Sequence, residues 1–204
     1  MHLTYFPLGD YVNKCVPIYN LAIKGDWKEA RTMLLADRRL ATAAISQGWA
    51  TLLHVAAEAN HLHFVEELLK QLNPNDLEIQ DFKGNTAFCF AAAVGNVKIA
   101  EAMVQMNRSL PTIRGGEGLT PLHMAALQGK SEMAWYLYPH TLHEFGPGDW
   151  DLLFFLCINT GIYGMYICIF CSSGPLPLFN FLKPVIYNLQ NSWKFCRLSF
   201  TDVT

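Results

Sequence analysis

The sequence predicts an all-α repeat protein, a solenoid of stacked helix-turn-helix units followed by an irregular apolar tail. Two observations carry that prediction. Thr51-Leu-Leu-His-Val-Ala-Ala57, Thr86-Ala-Phe-Cys-Phe-Ala-Ala92 and Thr120-Pro-Leu-His-Met-Ala-Ala126 align at intervals of 35 and 34 residues, and self-similarity at such a period marks a repeat array. Each copy continues through a turn residue, Asn60, Gly95 or Gly129, into a second apolar stretch at helical spacing, such as Val65, Leu68 and Leu69 or Val97, Ile99, Ala100, Met103 and Val104. A unit this short cannot bury its own apolar face, so the faces must stack between copies.

The elements follow in order. Residues 1–13 form a lead, and the array occupies 14–163 in units of about 14–47, 48–82, 83–116, 117–148 and a partial 149–163. In the first unit Val16-Pro17-Ile18-Tyr19 aligns with Thr-Pro-Leu-His and Gly25 with Gly95 and Gly129; its departures suit an end repeat, which must cap the stack. Thr51, Thr86 and Thr120 are placed to cap the first helix of their units, and Pro17 and Pro121 suit a first helical turn. Asn60 replaces the turn glycine, a cheap change because asparagine tolerates the left-handed conformation. The links Asn73-Pro-Asn-Asp76, Asp81-Phe-Lys-Gly84 and Arg114-Gly-Gly-Glu-Gly118 are rich in turn residues. In the fifth unit Leu153-Phe154-Phe155-Leu156-Cys157 precedes Gly161, 32 positions after Gly129.

This pattern resembles the ankyrin repeat, whose signature includes Thr-Pro-Leu-His-x-Ala at a period of about 33. GLTPLHMAALQGKSEMAWYL carries it almost whole, with Thr120, Pro121, His123 and Gly129; WATLLHVAAEANHLHFVEELLKQL departs at Leu52 and Asn60, and the third copy has Cys89 for the histidine. The resemblance implies that the turn-rich links project as hairpin fingers and that His54 and His123 are structural, hydrogen-bonding histidines. It further implies a concave face of fingers and inner helices that engages a protein partner. On this register the outward positions are Gln47, Phe82, Lys83, Asn85, Glu117 and Leu119 on the fingers, with Glu58 and Gln128 leading from the inner helices. Phe82, between Asp81 and Lys83, reads either as an anchor inside a polar rim or as packing against a neighbouring finger.

Other chemistry finds little support. With 15 basic and 17 acidic side chains the chain lacks a footprint for nucleic acid. The six cysteines, at 15, 89, 157, 168, 171 and 196, are irregularly spaced and read as reduced thiols. His61-x-His63, His140-x-x-His143 and the lone Cys168-Ile-Phe-Cys171 each fall short of the three or four ligands zinc needs; on a helix His61 and His63 would point about 200° apart. No GxSxG elbow or phosphate-cradling GxxxxGK[ST] occurs. The expectation is therefore a monomeric binding module, with no catalytic residues, metal or cofactor.

From about Lys14 to Tyr163 the sequence is also similar to the plant ankyrin proteins of the accelerated cell death type, through IYNLAIKGDWKEARTMLLADRRLATAAISQGWATLLHVAAEANH and GDWDLLFFLCINTGIY. That resemblance implies a role in defence, cell-death or salt-stress signalling, and a C-terminal membrane region that 204 residues are too few to include. The uncharged segment 152–171 supplies the alternative of a membrane-tethered signalling protein. Its apolar residues favour insertion by roughly 3–7 kcal/mol before the polar residues are counted, yet Lys183, Lys194 and Arg197 lie on its far side, which would place the array outside the cytoplasm. Free thiols and a start, MHLTYFPLGDYVNKC, that does not read as a secretory signal point instead to the cytoplasm or the cytoplasmic face of the plasma membrane. After Tyr163 the fifth unit's second helix is expected to be missing, which would forfeit roughly 5–12 kcal/mol and leave a poorly packed end. The non-repeat tail, 164–204, is expected to come from a truncated or intron-retaining gene model, since Gly164-Met165-Tyr166 can be encoded through GTATGT, which resembles a splice donor.

Overall fold

In a computed structural model the chain is described over residues 6–165. The paired Cys168 and Cys171, Cys196, the cations from Lys183 onward and the second part of the segment 152–171 lie outside the described residues. The stack has an inner layer, α2 (Val16–Lys24), α4 (Leu52–Glu58), α6 (Ala87–Val94), α8 (Pro121–Leu127) and α10 (Pro147–Thr160), and an outer layer, α3 (Trp27–Ala36), α5 (Leu62–Leu69), α7 (Val97–Met106) and α9 (Ser131–Thr141). Each inner helix packs on the next, and α3, α5, α7 and α9 follow one another in the same way.

The inner layer is close because its contact positions are alanines. Ala56, Ala57, Ala91, Ala92, Ala125 and Ala126 are all 0 % exposed, so neither neighbour leaves room for a larger side chain. The inner helices start where the threonines stand: Thr51, Thr86 and Thr120 hold extended backbone at the N-cap. At Thr120 the side chain accepts from His123 N, and His123 Nδ1 accepts from Thr120 N, closing a reciprocal cap. Left-handed residues then turn the chain outward at Gly25, Asn60, Gly95, Gly129 and Gly161; Asn60, at φ +63°, takes the place of a glycine. Asp26 and Asn96 cap the outer helices that follow them, accepting from Glu29 N and Ile99 N.

His61 departs from expectation. It is the N-cap of α5 rather than a residue on its face, and its Nε2 donates to the Ile23 carbonyl, 2.7 Å away in the preceding repeat. Among the described residues no group of three His, Cys, Asp or Glu could hold a metal ion.

Both ends differ from the simple register. The first inner helix does not begin at the Val16-Pro17 position; α1 (Leu8–Asp10) runs through a wide π turn, Tyr11–Cys15, directly into α2. There Val16 N donates to Tyr11 O, five residues back, in a turn wide enough for Pro17, which has no N–H to give and a ring that crowds an α-helical turn. The far side of this end is tied down by Asp37, which accepts from Lys14 and Arg39 while both cations lie over the Phe6 ring. Arg39 first, then Lys14, holds the Asp37 carboxyl well below the usual range.

At the other end α10 starts at Pro147, ahead of Leu152, the position aligned with the threonines. Gly146 is its N-cap, and Asp149 folds back to accept from Gly146 N. The end is better packed than expected: Leu153 and Cys157 are fully buried, Phe154 nearly so, against α8. Residues 163–165 are helical, and Met165 is as buried as Phe64, Ile99 and Met133, the same position in the outer helices before it. The rest of the stretch where a second helix is expected to be missing lies outside the described residues. Within the 14-residue helix α10, Leu153, Phe154 and Cys157 are thus spent on packing, while Leu152 and Phe155 are exposed, and among the described residues no helix is long and apolar enough to cross a membrane.

Gly25 has φ +73°, and a Cβ there would lie 2.7 Å from His61 Nδ1. Gly25→Ala therefore strains the turn and dislodges the hydrogen bond from His61 to Ile23. Urea denaturation should show a loss of about 1–3 kcal/mol; an unchanged midpoint would contradict this role.

Candidate functional site

Three fingers rise on one side of the inner helices, each closed by its own backbone. Ile45 N donates to Ala50 O at 2.9 Å, Asp81 N to Asn85 O at 2.8 Å and Gly115 N to Leu119 O at 2.8 Å. Their tips need a left-handed residue, supplied by Trp49, Gly84 and Gly118 at corresponding positions, with Glu117 beside the last. Asp81 holds the second tip, its Oδ1 accepting from Lys83 N and Asn85 N.

Neighbouring fingers are then locked together. Phe82 N donates to Gly48 O at 2.9 Å, joining fingers one and two. Between two and three, Gly116 N donates to Asn85 Oδ1 at 2.8 Å and Gln80 Nε2 to Arg114 O at 3.2 Å. Arg114 continues the line, its guanidinium gripping both Asp149 oxygens at 2.8 and 2.7 Å from the start of α10. That pairing, together with the Gly146 amide, holds the Asp149 carboxyl below its ordinary range.

The tetrad histidines each tie an inner helix to the next unit. His54 Nδ1 lies 3.2 Å from Thr51 N and 2.8 Å from Thr51 Oγ, while Nε2 lies 3.0 Å from Asn85 O in the next unit. An amide N–H can only donate and a carbonyl can only accept, so this geometry fixes a neutral ring protonated at Nε2. His123 repeats it, reaching Asp149 O at 3.0 Å and stacking on the Phe145 ring. Burial pushes both imidazoles to lower pKa. Cys89, in the third unit, contacts Thr86 Oγ at 3.4 Å and sits where Gly115 leaves no room for a Cβ. At this junction the Asn85 and Gln80 side chains supply the cross-finger bonds.

Of the residues expected to face a partner, Gln47, Glu58, Phe82, Lys83, Glu117 and Gln128 are exposed. Asn85 and Leu119 are half-buried, and Asn85 serves the finger lock. Phe82 does pack on a neighbouring finger, edge-on to Trp49 with centroids 6.0 Å apart, yet both rings remain open to solvent, 65 % and 43 % exposed. The sequence reasoning missed Trp49, although aligning the finger tips places it with Gly84 and Gly118. It also missed exposed Ile23 and Leu127, which share the helix position of Glu58.

The comparisons agree with this architecture. Residues 53–146 match the family described as ankyrin repeats, in three copies, and the described stack is an ankyrin-repeat solenoid. The chain is also 29% identical over 112 residues to the probable E3 ubiquitin-protein ligase XBOS32 of Oryza sativa subsp. japonica. That match covers 55% of this chain and 22% of the rice protein, so the chain spans about a fifth of its relative's length.

The histidines give the fold a pH dependence. Their pKa values lie below the unfolded value of 6.5, so the unfolded chain takes up protons first as pH falls, and stability drops from pH 6.5 toward the folded values. The urea midpoint should fall between pH 7 and pH 5. The drop should shrink in His54→Cys and His123→Cys, which carry the residue the third unit already uses; an equal drop in these variants would contradict the assignment.

Proposed function

We propose that the fingers and the adjoining ends of the inner helices form the face through which this ankyrin stack, a protein-interaction module, engages its partner. One observation supports the reading above others: the finger backbones are fixed by a continuous series of hydrogen bonds, while Gln47, Phe82, Lys83 and Glu117 project from them into solvent, with Gln128 exposed at the end of α8. A surface ordered before it binds loses little conformational entropy on binding.

From the resemblance of residues 14–163 to plant ankyrin proteins of the accelerated cell death type we infer a role in stress, defence or cell-death signalling, on the cytoplasmic side and, in the tethered alternative, at the plasma membrane. A second reading draws on the rice relative, whose name gives it ubiquitin-ligase activity: the array selects a substrate for ubiquitin transfer. Ankyrin repeats are generally non-catalytic, and in either reading the stack supplies recognition.

Immobilised chain should capture a defined set of proteins from plant extract. Combined Gln47→Ala, Phe82→Ala, Lys83→Ala and Glu117→Ala should lower recovery at least about tenfold with helicity unchanged by circular dichroism. Changes on the outer helix α7, at exposed Lys98, Glu101 and Gln105, should have no effect. Loss with the outer set and retention with the finger set would contradict the proposal. Ubiquitylation of the captured proteins, dependent on the finger residues, would favour the second reading.

A further inference from the structure

Trp49 is a bulky aromatic residue held at φ +59°, where the two fingers that follow use Gly84 at +86° and Gly118 at +75°. L side chains disfavour this conformation, and tryptophan has no short polar group to stabilise it locally. Folding alone would be served by glycine. The strained backbone instead holds the indole toward Phe82, edge-on, so that two rings from adjacent fingers, each partly open to solvent, meet at nearly a right angle, 87°. Strain retained at an exposed feature of a rigid scaffold is a mark of recognition.

The surrounding charge identifies what the rings receive. The first finger, Ser46-Gln47-Gly48-Trp49, carries no charge. On the second, Asp81 is half-buried and turned into its own hairpin, bound to two backbone amides. Lys83, next to Phe82, is exposed and makes no ion pair among the described residues. The two fingers therefore present an aromatic corner and one available cation. A single cation is a poor match for a nucleic-acid backbone, which rewards many phosphate contacts, and a good one for a carboxylate.

We propose that the Trp49–Phe82 corner anchors an acidic peptide segment of the partner, a large apolar side chain seating against the two rings and an Asp or Glu carboxylate meeting Lys83. This rests on the reading that the finger face binds protein, and it names the point of contact and the chemistry of the partner.

The test is selection of a displayed random 12-residue peptide library on the full chain, followed by affinity measurements with the selected peptides. Enriched sequences should pair a large apolar residue with Asp or Glu. Trp49→Gly, Phe82→Ala and Lys83→Glu should each weaken their binding by about tenfold or more. Trp49→Gly should keep or raise the urea midpoint, since glycine relieves the left-handed strain; a tryptophan present only for stability would lower it. The proposal is overturned if no peptide is enriched, if the enriched peptides are neutral or basic, or if Trp49→Gly binds them as the unsubstituted chain does. Peptides that are insensitive to Trp49→Gly but lost on Glu117→Ala and Gln128→Ala would overturn this anchor and leave the finger-face function standing. Peptides lost only on substitution of Lys98, Glu101 and Gln105 would overturn both.

Discussion

The close approach of neighbouring inner helices through paired alanines is the constraint on which the rest of the structure depends. Six alanine side chains with no solvent exposure set the spacing of the central inner helices; in so tight an interior a larger side chain forces its neighbours off their rotamers or moves the backbone. That spacing brings Phe64, Phe88, Leu122 and Met133 of successive units into one buried cluster running from Cys15 to Met165. No unit has a core of its own. Stability is a property of the interfaces, as it must be in a chain whose units are each too small to fold alone.

The same spacing decides what the fingers can do. Because successive inner helices are near, His54 reaches the finger of the next unit and His123 the start of α10, and one finger's amide reaches its neighbour's carbonyl or side chain. The junctions differ in their chemistry. Where His54 and His123 span the gap, a buried neutral imidazole makes the link; where Cys89 cannot, Asn85 and Gln80 make it instead. The outcome in each case is a finger whose backbone is satisfied internally, leaving its projecting side chains available for a partner. The aromatic corner and the polar side chains around it are presented by a framework that has little ordering left to do.

Much of this was legible in the sequence. Three Thr-x-x-His/Cys-x-Ala-Ala stretches at intervals of 35 and 34 residues mark the three central inner helices, and Asn60 can be recognised as a left-handed turn residue because its counterparts in the other units are glycines. Less legible were features that depend on the neighbouring unit. Asn85 looks like a tip residue within its own repeat and becomes a lock only when Gly116 lies above it. His61 holds the N-cap position that Asp26 and Asn96 hold in their units, but its bond to the preceding repeat's Ile23 carbonyl shows only once the repeats are stacked. The end helices extend beyond their register because no regular finger bounds them: α1 flows through the π turn into α2, and α10 begins at a proline that suits a first turn. Met165 keeps the buried position of the outer helices amid residues whose uniform lack of charge hides any helical face. Trp49 was less legible for a different reason, since the two fingers that follow carry glycine at its position and a tryptophan is no turn signal.

Amide hydrogen exchange under native conditions tests most directly the claim that the stack is held by interfaces rather than by separate cores. If it is, α4, α6 and α8, which have an inner helix on either side, exchange slowest and through a shared opening, with Ala91 and Ala92 of α6 among the most protected, while α2 and α10 exchange faster. Independent exchange of each helix pair, with α10 as protected as α6, would contradict it.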